Sequence, residues 1–97
     1  MGEEKKNDNV VFIGSKPFMN YITSVVIQFT SKNRDEVIVK ARGKWISRAV
    51  DVVERVRKRF LKDKNIQIKH VRIDSDEVEN KEGKKINVSL IEITMGK

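Results

Sequence analysis

The sequence predicts an α/β fold, an α+β sandwich formed by a single βαβαββ domain with a long protruding C-terminal β-hairpin. Two apolar segments each end in a glycine beside a basic residue and continue into a helical pattern. The last third alternates between apolar and polar residues on both sides of a turn. The length of 97 residues allows one modest core and leaves no room for a second domain. We therefore assign residues 9–97 to one domain and the hydrophilic residues 1–8 to a flexible N-terminal tail.

The first unit runs from a strand at residues 9–13 into a helix through the turn Gly14–Pro17. Pro17 is expected as the first helical residue, because its fixed φ suits that position. Apolar residues then recur at helical spacing on one face: Phe18, Ile22, Val25, Val26 and Phe29. This pattern predicts an amphipathic helix that covers the sheet.

The second unit repeats this order, with residues 36–40 as the strand and Ala41–Lys44 as the turn. The run Val37–Val39 is apolar on both faces, which is typical of a central strand. A helical pattern follows from Gly43 to about Lys62. Its predicted core stripe consists of Ile46, Ala49, Val50, Val53 and Val56.

The last third reads as a hairpin. Its alternating segments are residues 66–73 and 86–93, joined by the turn Asn80–Gly83. Both arms change phase partway, between Ile68 and Val71 on the first and between Leu90 and Ile91 on the second. We expect the two changes to lie roughly opposite each other and to mark a bulge or sharp twist. The distal half of the hairpin would then leave the domain as a free arm.

The two turns are expected to meet. A right-handed crossover through the intervening helix would make the first two strands parallel, so both turns would emerge at the same edge of the sheet. The basic residues collected there would be Lys16, Lys40, Arg42 and Lys44. Two helix N-termini would add unpaired N–H groups and positive dipole ends, which attract anions. This edge best fits a polyanion such as the phosphate backbone of a nucleic acid, although Arg42 could instead cap a carbonyl or pair with a nearby acid.

Charge is abundant and unevenly distributed. Charged residues make up 36% of the chain, and the formal net charge is +7. Residues 32–48 carry six basic and two acidic residues, and residues 49–64 carry six and three. Residues 74–82 carry five acidic residues and one lysine. The sequence therefore predicts a basic body with an acidic arm. A net positive charge of this size is informative about binding partners and not about the fold.

The residue inventory offers little for catalysis or metal binding. The chain has no cysteine and a single histidine, His70, so neither a catalytic triad nor a cysteine metal site can be built. Val78 departs from the pattern of a calcium loop, and Gly14–Lys16 lacks the spacing of a nucleotide-phosphate loop. Residues 17–31 are uncharged but too short and too polar to span a membrane. We expect a protein that is not an enzyme and has no catalytic residues, cofactor, metal or membrane partner.

Trp45 has two interpretations. It stands in the first turn of the second helix next to Lys44, where its ring could stack on a base or sugar. It could equally be a rim residue of the core. Because Phe12, Phe18 and Phe29 fall at core positions, an array of exposed stacking rings is not expected.

In combination, three parts of the sequence resemble the Alba family of archaeal chromatin proteins. They are residues 9–21, residues 39–44 with Ile46 and residues 49–51, and residues 57–61. The resemblance runs from Asn9 to nearly the end of the chain. It implies a βαβαββ fold, a homodimer, and binding to double-stranded DNA, and often to RNA, with little sequence preference. It also implies a cytoplasmic protein associated with the chromosome, or nucleoid.

The resemblance also implies residue roles. Contacts with the phosphate backbone fall on Lys16, Arg42 and Lys44, beside which Lys40 lies on the same edge. Contacts of the hairpin along the minor groove fall on Lys81, Lys84 and Lys85. Arg59 and Phe60 match the positions through which dimers of the family meet side by side on DNA.

The chain departs from the family in three ways. Ser15 replaces the first of two adjacent lysines, an acetylation target in the family, so acetylation there is excluded. The arm is acidic, which should repel a minor groove and could weaken binding, restrict it to chosen sequences, or shift the choice between DNA and RNA. Trp45 replaces a residue that is commonly small. We expect a dimeric DNA-binding protein with more sequence preference than its relatives; the alternatives are an RNA-binding or ribonucleoprotein subunit and a structural oligomer assembled through Phe60.

Overall fold

A computed structural model describes residues 9–97, and the tail predicted for residues 1–8 lies outside this range. The helices and strands, in chain order, are β1 (Val10–Phe12), α1 (Phe18–Phe29), β2 (Glu36–Arg42), α2 (Ile46–Arg55), β3 (Gln67–Glu79) and β4 (Lys85–Gly96). A 3-10 turn, Gly43–Trp45, leads into α2, and a π-helical turn, Val56–Phe60, continues it. The predicted βαβαββ order is confirmed.

The four strands form one sheet in the order β1-β2-β4-β3. β1 and β2 are parallel, with Val11 opposite Val39, as the crossover through α1 predicted. β4 is antiparallel to both of its neighbours. Every second residue of β2 is buried in one core with residues of α1 and α2, so the helices cover one face of the sheet. The other face carries charged side chains, among them Lys40, Arg42 and Glu92.

Two predicted core positions are wrong. Phe12 is 69% exposed, because β1 alternates and directs Val11 and Ile13 into the core. Val50 is 41% exposed, while Val52 is fully buried. The buried stripe of α2 and its continuation is Ala49, Val52, Val53 and Val56. Both the predicted and the observed stripe have helical spacing, but the buried face is turned toward Val52 and away from Val50.

The hairpin extends beyond the helices, and its register corrects one prediction. β3 has a bulge between Ile68 and His70, near the base of the hairpin. β4 has no matching irregularity, so the expected second slip at Leu90 and Ile91 is wrong. Ile91 faces the helices and Leu90 lies on the opposite face, because the apolar residues change face where β4, coming from the tip of the arm, reaches the part of the sheet that the helices cover. Almost every residue of β3 is exposed, and the described molecule measures 48 × 33 × 23 Å, which agrees with a protruding arm.

Candidate nucleic-acid interface

The two basic turns lie at the same edge of the sheet. They follow adjacent parallel strands, and the N–H of Ile13 donates to the carbonyl of Lys40 at 2.8 Å just before the first turn. The Arg48 guanidinium of α2 donates to the carbonyl of Gly14 at 2.9 Å, which ties the first turn to the helix that follows the second. The exposed ring of Phe12 contributes to a groove that contains Lys16 and to another that contains Arg42. The sequence therefore predicted correctly that these turns converge.

Tyr21 fixes the shape of the first turn. Its buried phenol oxygen accepts the backbone N–H groups of Gly14 and Lys16, each at 2.9 Å. These two N–H groups of the turn are therefore occupied by the phenol oxygen. Pro17 has ψ 143°, so α1 begins one residue later than predicted. The cation that this turn exposes is the ammonium group of Lys16.

The second turn depends on a glycine and an aromatic ring. Gly43 has φ +56°, a left-handed conformation that glycine adopts without steric cost. The ring of Trp45 packs against the core, with the Nζ of Lys44 5.0 Å from its centroid and the guanidinium carbon of Arg48 5.7 Å from it. The core-rim interpretation of Trp45 therefore describes its position, and the ring supports the cation of Lys44 next to the turn.

Acidic side chains of the hairpin reach two of the predicted phosphate-binding cations. Lys40 Nζ lies 3.3 Å from a carboxylate oxygen of Glu92, and Arg42 Nη2 lies 3.4 Å from a carboxylate oxygen of Asp76. The sequence left open whether Arg42 pairs with a nearby acid, and the structure shows that it does. Among residues 9–97, no such ion pair is formed by Lys16 or Lys44, so the edge combines two paired and two unpaired cations.

Arg72 organises the acids on the exposed face of the sheet. It donates hydrogen bonds to Glu92 at 3.0 Å and to Asp74 at 2.9 Å. Hydrogen bonding from Arg72 is the main reason that the pKa of Glu92 lies below its usual value. The pKa of Asp74 is also lowered, first by the backbone N–H of Ser75 and then by Arg72. Both carboxylates therefore remain negatively charged well below neutral pH.

The predicted hairpin lysines lie at the tip of the arm, away from the two turns. Lys81 and Lys84 belong to the tip turn, in which the side-chain oxygen of Asn80 accepts two backbone N–H groups. Lys85 is the first residue of β4 and lies opposite Glu79 in the register of the hairpin. Arg42 lies opposite Leu90 in the sheet. Leu90 is five residues along β4 from Lys85, which corresponds to roughly 17 Å of strand. The arm therefore presents a separate group of exposed cations beyond its acidic stretch.

Comparison with known proteins identifies the family. The family model described as Alba matches residues 9–75. The chain belongs to the Alba family. It is 52% identical over 90 residues to the DNA/RNA-binding protein Alba of Methanococcus maripaludis, covering 93% of this chain and 99% of that protein. It is 49% identical over 90 residues to the DNA/RNA-binding protein Alba 1 of Archaeoglobus fulgidus, covering 93% and 97%.

Solved Alba structures agree with the fold. The structure of Alba from Thermoplasma volcanium superimposes with a TM-score of 0.83 at 44% identity, covering 92% of this chain and 100% of that one. ALBA1 from Trypanosoma brucei gives a TM-score of 0.66 at 26% identity, covering 93% and 69%. Within residues 9–97, no helix has the length and apolarity needed to cross a bilayer, and no group of three or more acidic or histidine side chains could hold a metal ion.

Arg59 and Phe60 form a second candidate surface of this Alba-family chain. Both lie on the π-helical turn after α2, and both are exposed. This turn is closed by the N–H of Leu61, which donates to the carbonyl of Val56 at 2.8 Å. Since the basic turn precedes α2 and this turn follows it, the two surfaces lie at opposite ends of the helix.

Tyr21 and Arg48 are positioning residues that the sequence analysis missed. Arg48 lies outside the predicted core stripe of α2, yet it bonds the first turn and lies over the rings of Tyr21 and Trp45. Tyr21 falls next to the predicted apolar face of α1, and a hydroxyl at such a position needs a hydrogen-bond partner. That requirement was the available signal for Tyr21. For Arg48 no local signal existed, because its partner lies 34 residues away in the sequence.

Replacing Tyr21 with phenylalanine should destabilise the protein and loosen the first turn. The substitution leaves two partly buried N–H groups without an acceptor, at a cost of about 1–3 kcal/mol in the free energy of unfolding. For a domain of this size we expect the melting temperature to fall by about 5–15 °C. Calorimetry of the variant measures this, with Tyr21→Leu as a second variant that also lacks the acceptor. An unchanged melting temperature for Tyr21→Phe would show that the turn does not depend on this hydroxyl.

Proposed function

We propose that this protein is a dimeric, non-enzymatic DNA-binding protein that contacts the phosphate backbone of double-stranded DNA and is associated with the chromosome. The observation that carries the proposal is the convergence of two basic turns at one edge of the sheet. Relatives at about half identity are named DNA/RNA-binding proteins, which supports a nucleic acid as the polyanion. The proposed location is the cytoplasm, which contains the chromosome in archaea.

Lys16, Lys40, Arg42 and Lys44 are the proposed phosphate contacts at this edge. Lysine ammonium groups act as compact point charges, while the planar guanidinium of Arg42 can hold a phosphate through two N–H groups. The exposed tip lysines, Lys81, Lys84 and Lys85, would extend the contacts along the duplex. Contacts of this kind set the register of a protein on DNA without reading its sequence.

Dimerisation is proposed through an apolar groove between α2 and the base of the hairpin. Its volume is about 410 Å³, and the lining includes Val50, Ile68, Val71 and Ile91. Val71 is 49% exposed and Ile73, further along the same face of β3, is 75% exposed. A contiguous apolar surface of this kind is typical of an interaction site. A second copy that packs here would bury these side chains and place two basic edges on one particle.

Dimer–dimer assembly on DNA is proposed through the turn that carries Arg59 and Phe60. The exposed ring of Phe60 is an apolar group on an otherwise charged surface. Its position at the far end of α2 would leave the basic turns free for DNA while neighbouring dimers touch.

Binding to duplex DNA should depend strongly on salt. If four or five of the seven proposed cations of each subunit contact phosphates at one time, a dimer neutralises about eight to ten phosphates, and the slope of log affinity against log salt should be roughly −7 to −9. Fluorescence anisotropy with a labelled random-sequence duplex at several salt concentrations measures this slope. A flat response would contradict phosphate binding as the source of affinity.

RNA is the second candidate ligand, either alone or within a ribonucleoprotein. The relatives are named as binders of both DNA and RNA, and the acidic arm of this chain should disfavour insertion into a minor groove. We propose that the arm gives this member more selectivity than relatives with a neutral or basic arm. Competition between random duplex, chosen duplex and structured RNA at one salt concentration separates these ligands. Equal affinity for all three would argue against selectivity.

A further inference from the structure

The contact between Arg42 and Asp76 joins a proposed phosphate-binding residue to the acidic arm of the same chain. A single nitrogen of the guanidinium approaches a single carboxylate oxygen, at 3.4 Å. Both side chains remain about half exposed, at 56% and 53%. The contact is therefore accessible to solvent and to a ligand, and its geometry leaves most of the donors of Arg42 free.

The strand register explains why Asp76 meets Arg42. Arg42 at the end of β2 lies opposite Leu90, which on its other side pairs with Asp74. Asp76 is two residues further along β3 and therefore on the same face of the sheet. Asp74 is held by Arg72, whereas the contact of Asp76 within residues 9–97 is with Arg42.

We propose that Asp76 sets the affinity for nucleic acid by competing with phosphate for Arg42. This inference rests on the proposed function. A phosphate that binds the guanidinium must displace the carboxylate or share the guanidinium with it, and a carboxylate left beside a bound phosphate is repelled by it. Asp76 thus acts through Arg42 and does not itself contact the nucleic acid. The stronger its contact with Arg42, the lower the affinity for nucleic acid.

The competition also affects the salt dependence. When phosphate replaces Asp76, the DNA releases a counterion but the freed carboxylate attracts a cation from solution, so the two effects partly cancel. Without the carboxylate, each Arg42 contact contributes its full share, about 0.9 in the slope of log affinity against log salt. Removing Asp76 should therefore strengthen binding and steepen the slope, a combination that a change in folding stability does not produce.

The matched substitutions are Asp76→Asn and Glu77→Gln. Each removes one negative charge from neighbouring positions of the arm, but Glu77 pairs with Asn87 and lies on the opposite face of the sheet from Asp76. Affinity for a labelled random duplex is measured for both by anisotropy over a range of salt. We expect Asp76→Asn to bind about fivefold more tightly at low salt, since an exposed pair is weak but is present twice in a dimer. Glu77→Gln should change affinity by less than about twofold.

Two further variants test whether the effect passes through Arg42. Asp76→Glu keeps the charge and should retain an affinity near that of the unmodified protein. In the background Arg42→Gln, the additional change Asp76→Asn should no longer tighten binding, because the contact is already absent. Equal gains from Asp76→Asn and Glu77→Gln, or a gain that persists without Arg42, would overturn the inference while leaving the proposed function intact. Failure of the unmodified protein to bind any duplex or RNA would overturn both.

Discussion

Replacing Arg42 with alanine is expected to weaken binding to random duplex DNA about 30-fold. An exposed, charge-assisted contact with phosphate contributes about 1 kcal/mol, the proposed dimer contains two copies, and about 1.4 kcal/mol corresponds to a factor of ten. The loss should be similar for every duplex, because phosphate contacts carry no direct sequence information. The slope of log affinity against log salt should become shallower by at most about 1.8, or 0.9 for each lost contact, and by less where Asp76 already competes.

Lys58→Ala is the matched control for Arg42→Ala. It removes one positive charge from an exposed side chain on the π-helical turn, at the opposite end of α2 from the basic turn, where Lys58 pairs with Glu54. A general effect of net charge would weaken binding equally in both variants. We expect the affinity of the control for DNA to fall by less than about twofold, because its charge lies outside the proposed phosphate-contacting edge. Equal losses would remove the second turn from the binding surface.

The sequence predicted the placement of the two turns because backbone topology determines it. A strand, a helix and a second strand in that order form a right-handed parallel unit, so the residues after each strand emerge together. Lys16 and Arg42 could therefore be assigned to one edge before their side chains were located. The alternation of β1 could likewise have shown that Phe12 faces away from the core, since Val11 and Ile13 occupy the buried positions.

The remaining features depend on register between distant segments. Whether Arg42 meets an acid is decided by how β2, β4 and β3 pair, and a shift of one residue would have moved Asp76 to the other face. The change in apolar phase at Leu90 suggested a slip, but it arises where β4 passes from the exposed arm to the part of the sheet under the helices, and its apolar side chains change face there. Contacts such as Arg48 with Gly14 span the fold and leave no periodic pattern in the sequence.

Replacing Val71 with aspartate should separate the proposed dimer into monomers. Val71 lines the apolar groove and is 49% exposed, so the charge is tolerated in the monomer but would be buried at the interface. Symmetry places the charge there twice, and burying each one costs at least about 2 kcal/mol, so the dissociation constant of the dimer should rise about 1,000-fold or more. Sedimentation velocity measures the change in mass, and thermal unfolding verifies that the variant is folded.

Ile86→Asp provides the control for Val71→Asp. Ile86 is similarly exposed, but it lies near the tip of the arm, paired with Val78 and outside the groove. The Ile86→Asp protein should remain dimeric. Because a monomer carries one basic edge instead of two, Val71→Asp should also reduce the salt slope to roughly half, near −4, while Ile86→Asp should keep most of it. A Val71→Asp protein that stays dimeric would place the interface elsewhere, and a monomer with an unreduced slope would show that one edge alone accounts for the phosphate contacts.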